Sequence, residues 1–170
     1  MKTTVLARIA AVAVAAVVLA ACSAINPITT QDKYQSSDGA TVPIGDTARG
    51  INLLVVTTAV GEPAVLTGSI RNDAAEDLEV VISIDGTNQV KVAVPAASTI
   101  QLGTGEGQQL VVGTAPVAPG LIAEVFFATA DLGSFQAPVP VVDGTHDPYK
   151  DTVDSIPGVT SPAPSASPSA

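Results

Sequence analysis

Leu78-Glu79-Val80-Val81-Ile82-Ser83-Ile84-Asp85-Gly86, followed by Val90-Lys91-Val92-Ala93-Val94-Pro95, is the stretch that decides the fold. Leu78, Val80, Ile82 and Ile84 fall two apart, interleaved with Glu79, Val81, Ser83 and Asp85. A period of two marks a pleated strand with one buried face, because successive side chains point to opposite sides. Val90, Val92 and Val94 repeat the period around Lys91 and Ala93, and Pro95 closes the strand because it has no N–H for a ladder. Between the two runs, Asp85-Gly86 signals a reversal.

The same pattern spreads outward. Leu66, Gly68 and Ile70 alternate with Thr67, Ser69 and Arg71, and the polar stretch Asn72-Asp73-Ala74-Ala75-Glu76 then turns the chain. Ile51 to Thr58 is a continuous apolar run, as expected of a strand buried on both faces. Thr99–Leu102 and Gln108–Val112 are short strands around the loop Gly103-Thr104-Gly105-Glu106-Gly107. Leu121–Ala130 and Ser134–Val142 form a final pair. No segment after the amino-terminal leader sustains a helical period. Seven or eight short strands with frequent turns predict one antiparallel β-sandwich, with a closed barrel as the alternative. Pro138 and Pro140 favour the open form. Two apart, they remove two donors from one flank, so the last strand is expected at an edge.

The predicted domain runs from Thr41 to about Asp147. Residues 22–40 read as a polar tether, and residues 148–170, ending in a Pro/Ser/Ala-rich segment, as a disordered tail. Aromatic residues make up only 3%, so the core must be built from Val, Ile, Leu and Ala. Val and Ile suit sheets through their branched Cβ atoms.

The amino terminus carries a different signal. Lys2 and Arg8 precede thirteen apolar residues, Ile9 to Ala21, with the n- and h-regions of a secretory leader. A spanning helix needs about twenty apolar residues, and Arg8 cuts this run short. Leu19-Ala20-Ala21-Cys22 resembles a bacterial lipobox. That resemblance implies cleavage between Ala21 and Cys22 and a diacylglyceryl group on the Cys22 thiol. The competing reading is an ordinary Ala-rich leader with a chance cysteine. Acyl chains anchor a protein durably when two or more are attached, at about 0.8 kcal/mol per buried CH₂. The expected location is the extracytoplasmic face of the cell membrane. Removing Lys2 and Arg8 with the leader leaves five basic and sixteen acidic residues, a net charge of -11 against -9 for the whole chain. Such a charge repels phosphate backbones and anionic headgroups, so no nucleic-acid partner is expected and adhesion would rest on the lipid.

Pro119-Gly120-Leu121-Ile122-Ala123-Glu124-Val125-Phe126-Phe127, then Ala130-Asp131-Leu132-Gly133, then Ala137-Pro138-Val139-Pro140-Val141, resembles the closing hairpin of periplasmic copper-chaperone-like (PCuAC-like) sandwich domains. Leu66 to Asn72 with Leu78-Glu79-Val80 is similar to that family's central hairpin. The lipobox followed by Tyr34-Gln35-Ser36-Ser37-Asp38-Gly39 resembles actinobacterial envelope lipoproteins of the LpqE type. The resemblance implies an immunoglobulin-like or cupredoxin-like sandwich. It does not transfer a copper site. That family holds Cu(I) through His and Met, and this chain has one Met, the initiator, and one His, His146, beyond the last predicted strand.

Other candidate chemistry is thin. His146 with Asp143 and Asp147 falls short of a closed ligand set, so an exposed loop histidine is expected. Asp73, Glu76, Asp77 and Glu79 match no calcium-loop pattern and read as a solvated turn. Gly103, Gly105 and Gly107 lack the Lys-Ser/Thr of a phosphate loop and precede a strand, which makes them an inter-strand loop. No Gly-x-Ser-x-Gly nucleophile motif occurs. The sequence therefore predicts no catalytic residues, no metal and no cofactor. It predicts a non-enzymatic binding or scaffold module of the cell envelope with a protein partner there, or else a metal or small-ligand carrier.

Overall fold

The computed structural model describes residues 5, 8, 11, 12, 38–131 and 133–157 of the 170. The chain divides into two compact units, Met1–Tyr34 and Gln35–Ala170. In the first unit Val5, Arg8, Ala11 and Val12 are described, all helical. No helix among the described residues is long and apolar enough to cross a membrane. Ala21, Cys22, most of the expected tether and residues 158–170 lie outside the described residues.

The second unit is an all-β sandwich. Its strands are β1 (Ala40–Ile44), β2 (Ala48–Thr57), β3 (Pro63–Asn72), β4 (Leu78–Ser83), β5 (Val90–Val94), β6 (Thr99–Leu102), β7 (Val111–Thr114), β8 (Ile122–Thr129) and β9 (Gly133–Asp143). A short helix, α1 (Lys150–Asp154), follows. The main ladder runs β5-β4-β8-β9-β2-β3-β6 and has two ends, so the sheet does not close on itself. β1 lies beside the first half of β2 and β9 beside its second half, while β6 and β7 divide the far flank of β3 in the same way.

Three features differ from the expected antiparallel plan. β1 is an additional strand, short and interrupted by Pro43, yet Val42 and Ile44 are buried and paired with β2. β2 and β9 pair in parallel from Val55↔Val141 to Thr57↔Asp143. β9 is thus an interior strand of the ladder, not an edge. Even so, its prolines sit on an open flank. The Val141 N–H donates to the Leu121 carbonyl at 2.9 Å, so the N–H groups two and four residues earlier also face β8. Pro138 and Pro140 face the other way, where pairing with β2 begins only at Val141.

Third, the domain does not stop at Asp147. Val153 of α1 and Ile156 just after it are buried against Val56 and Val65 on the outer face of β2 and β3. Residues 148–157 therefore belong to the domain and not to the tail. The cause is the run at Ile51–Thr58. Val55 faces the inner core and Val56 the outer face, and both are fully buried, so the outer side needs an apolar cover. Each such side chain contributes about 1.5–3 kcal/mol on burial, as an upper estimate.

The inner core contains Leu53, Val55, Leu66 and Ile70 from one layer and Val80, Ile82, Val92, Val125, Phe127 and Val139 from the other. Phe127 stacks on Phe135 with ring centroids 5.7 Å apart. Two polar clamps tie its ends. The buried Asn72 amide donates to the carbonyls of Glu76, Val94 and Pro95, and its Oδ1 accepts from the Ala74 N–H. The Asp85 carboxylate accepts from the N–H groups of Thr87, Asn88 and Thr114, joining the β4–β5 turn to β7.

Candidate functional site

The site grows from an irregularity in β2. Its register with β3 shifts between Ile51 and Leu54, and Asn52 there has φ 53°. Asparagine tolerates this left-handed conformation better than most residues. Its Oδ1 accepts from the Gly39 N–H at 3.0 Å. Opposite, Gly68 has φ 122°, and a Cβ there would lie 2.6 Å from the Asn52 carbonyl oxygen. The bulge needs glycine at that position for both reasons. It leaves a hollow on the outer face beside Leu54 and Thr67.

Two walls rise from the hollow. One is the β6–β7 connection, which carries the three glycines singled out from the sequence. It is internally bonded: the Gly105 N–H donates to Gln108 Oε1 at 3.0 Å, and the Gln108 N–H donates to the Gly105 carbonyl at 3.1 Å. Gln109 N–H donates to the Gln101 carbonyl at 2.8 Å, closing the base. The other wall is the segment Pro148–Ser155. Here α1 is steadied by the Lys150–Asp154 pair at 2.6 Å and by the Ser155 hydroxyl donating to the Asp151 carbonyl at 2.7 Å. The Asp154 carboxylate holds the Lys150 ammonium above its usual pKa.

Between the walls lies a cleft of about 560 Å³. That is within the ordinary range of small-ligand sites, roughly 300–1,000 Å³. Its lining combines side-chain amides (Asn52, Gln101, Gln108) and hydroxyls (Thr67, Thr152, Ser155) with Leu54 and the Tyr149 ring. Among the described residues, Asp151 is the single charged side chain on its surface.

Of the residues weighed from the sequence, Gly103 and Gly105 line the cleft, whereas His146 and the acidic turn fall elsewhere. His146 is 84% exposed, with Nδ1 2.7 Å from the Thr145 hydroxyl and 3.8 Å from Asp143 Oδ2. Asp143 is itself committed to the Thr145 N–H at 2.8 Å, which holds its carboxyl below the usual range. His146 is thus the exposed loop histidine expected, and among the described residues no three His, Cys, Asp or Glu side chains form a set able to hold a metal.

The acidic turn is divided among separate partners. Asp73 lies between Arg71 (2.7 Å) and Arg49 (2.8 Å), and chiefly its Arg71 bond lowers its pKa. Asp77 accepts from the Ala96 N–H at 2.8 Å, and Glu79 pairs with Lys91 at 2.8 Å. Of the cleft, the sequence singles out the glycine loop that forms one wall, and it marks Ile51–Thr58 as a strand buried on both faces; the wall from α1 carries no comparable signal.

No family model matches the chain, and no curated protein matches it. Among solved structures, a copper-bound PCuAC domain from PmoF2 is similar at 15% identity and a TM-score of 0.45, covering 61% of this chain and 98% of that domain. An apo PCuAC domain from PmoF1 is similar at 17% identity and a TM-score of 0.47, covering 61% of this chain and 99% of that domain.

Proposed function

We propose that this chain is a lipid-anchored extracytoplasmic binding module of the cell envelope, with its ligand site in the cleft between α1 and the β6–β7 loop. The observation that carries the binding role is the cleft. It has the volume of a small-ligand site and a lining of neutral hydrogen-bonding groups around an apolar floor. Binding without catalysis is the reading its chemistry favours. Acid–base or nucleophilic work needs titratable groups that converge, and here Asp151 meets amides and hydroxyls. A copper-carrier role would need soft donors meeting at one point, whereas His146 lies on an exposed loop beside Thr145 and Asp143, with no metal-holding set of three among the described residues.

The anchoring role rests on Leu19-Ala20-Ala21-Cys22 and the apolar run before it. Intact-mass measurement of the full-length protein extracted from bacterial membranes tests it. The expected product begins at Cys22 and carries diacylglycerol, and the Cys22→Ser variant leaves the membrane fraction or keeps its leader. A free Cys22 thiol on a chain that retains its leader would overturn the anchoring.

A further inference from the structure

We infer that the cleft binds a neutral saccharide, a reading that rests on the cleft being a ligand site. The argument is one of chemical complementarity. A sugar ring presents hydroxyls that each donate and accept, above and below patches of C–H. The walls offer groups of the same dual character. The Gln101 and Gln108 amides each carry two N–H donors and a carbonyl acceptor. The Gln108 carbonyl is held by the Gly105 N–H, which fixes the side chain in place. The Ser155 hydroxyl donates to the Asp151 carbonyl, and its oxygen lone pairs remain acceptors.

The apolar part is equally specific. Tyr149 packs against the outer cluster around Val56 and Val65 while also lining the cleft, so its ring is a fixed surface. An aromatic ring with a polar tip suits a ligand that is apolar on its faces and polar on its rim.

Other ligand classes fit less well. Among the described residues of the lining, anions would meet no Lys, Arg or His and would face Asp151. An extended peptide adding a strand needs a free strand edge. The far flank of β3 is already taken by β7 over Pro63–Leu66 and by β6 over Gly68–Arg71, and at the cleft the outer side of β6, the end of the ladder, is taken by Gln109, bonded to the Gln101 carbonyl and the Gly103 N–H. A wholly apolar ligand would strip water from several amides and hydroxyls without replacing their bonds, which weakens its binding.

The test is an amide-shift titration of the ¹⁵N-labelled full chain with maltose, N,N′-diacetylchitobiose and, separately, tri-alanine. A disaccharide is expected to give saturable shifts confined to the residues around the cleft, 52–54, 67–68, 101–108 and 149–155. Tyr149→Ala is expected to weaken that binding at least tenfold. Gln101→Ala, at an exposed position, is expected to weaken it several-fold with an unchanged thermal midpoint. Shifts at the cleft with tri-alanine and with neither disaccharide would overturn the saccharide assignment and leave the cleft as a binding site. No shift at the cleft with any of the three would overturn both. Saccharide binding unaffected by either variant would place it outside this cleft and overturn the inference.

Discussion

The two outer faces of the sandwich differ. On β4, β5 and β8 the alternation is nearly regular: Glu79, Lys91, Ala93 and Glu124 face solvent while Val80, Val92, Val94 and Val125 face the core. On β2 and β3 it breaks down, and Val56 and Val65 are fully buried on the outer side. The first face needs nothing beyond water. The second needs a cover, and α1 supplies it over only part of its length. The uncovered part, next to the β2 bulge, is the cleft. A strand pair that departs from period two is thus where a site is built.

This comparison can be broken or sharpened by substitution, and the largest effect is expected where both layers meet. Phe127→Ala removes a fully buried ring stacked on Phe135. It should cost about 3–5 kcal/mol, read as a fall in the urea midpoint of the full chain. The covered outer face comes next. Val153→Ala should cost about 1–2 kcal/mol, because Val153 is one of the two buried side chains, with Ile156, that dock α1. A loss as large as that of Phe127→Ala would mean that the outer cluster is an equal second core.

Acid sensitivity gives a third comparison. Partial burial of Asp85 raises its pKa, but N–H bonds from Asn88 and Thr87, the Asn88 side chain and the Thr114 N–H outweigh it and hold the carboxyl far below the usual range. A lowered native pKa stabilises the fold above the unfolded value, near 3.8, and that contribution disappears as pH falls further. Wild type should therefore lose stability below about pH 4, and Asp85→Asn should show a shallower fall there from a lower neutral value. Equal acid slopes in the two proteins would remove Asp85 as the acid-sensitive clamp. The smallest effect is expected on the bare face. Lys91→Ala breaks only an exposed pair with Glu79 and should change stability by less than about 0.5 kcal/mol in thermal unfolding.

Much of this fold was legible where the alternation is clean. Thr99–Leu102 is a strand with the expected limits, and the chain reverses at Asp85-Gly86 as its composition suggests. β1 was missed because Ala40–Ile44 is five residues long and contains Pro43. α1 was missed because a five-residue helix is too short to show a period, and Val153 and Ile156 look unremarkable without the surface they cover. Of the cleft, the sequence marks only the glycine loop of one wall. Asn52, Thr67, Gln108 and Tyr149 come from four separate segments, and their meeting depends on a bulge that the sequence marks only by an asparagine in an apolar run.

The structural premise beneath the proposed site is that residues 150–156 belong to the folded domain, since the cleft has its second wall only while α1 is docked. Native-state hydrogen exchange at the Val153 N–H, which donates to the Tyr149 carbonyl at 3.2 Å, tests this directly. Docking by two buried apolar side chains predicts exchange slowed roughly 10²-fold relative to an unstructured chain. Exchange at the unstructured rate would show that the helix does not stay in place, and the cleft would lose that wall.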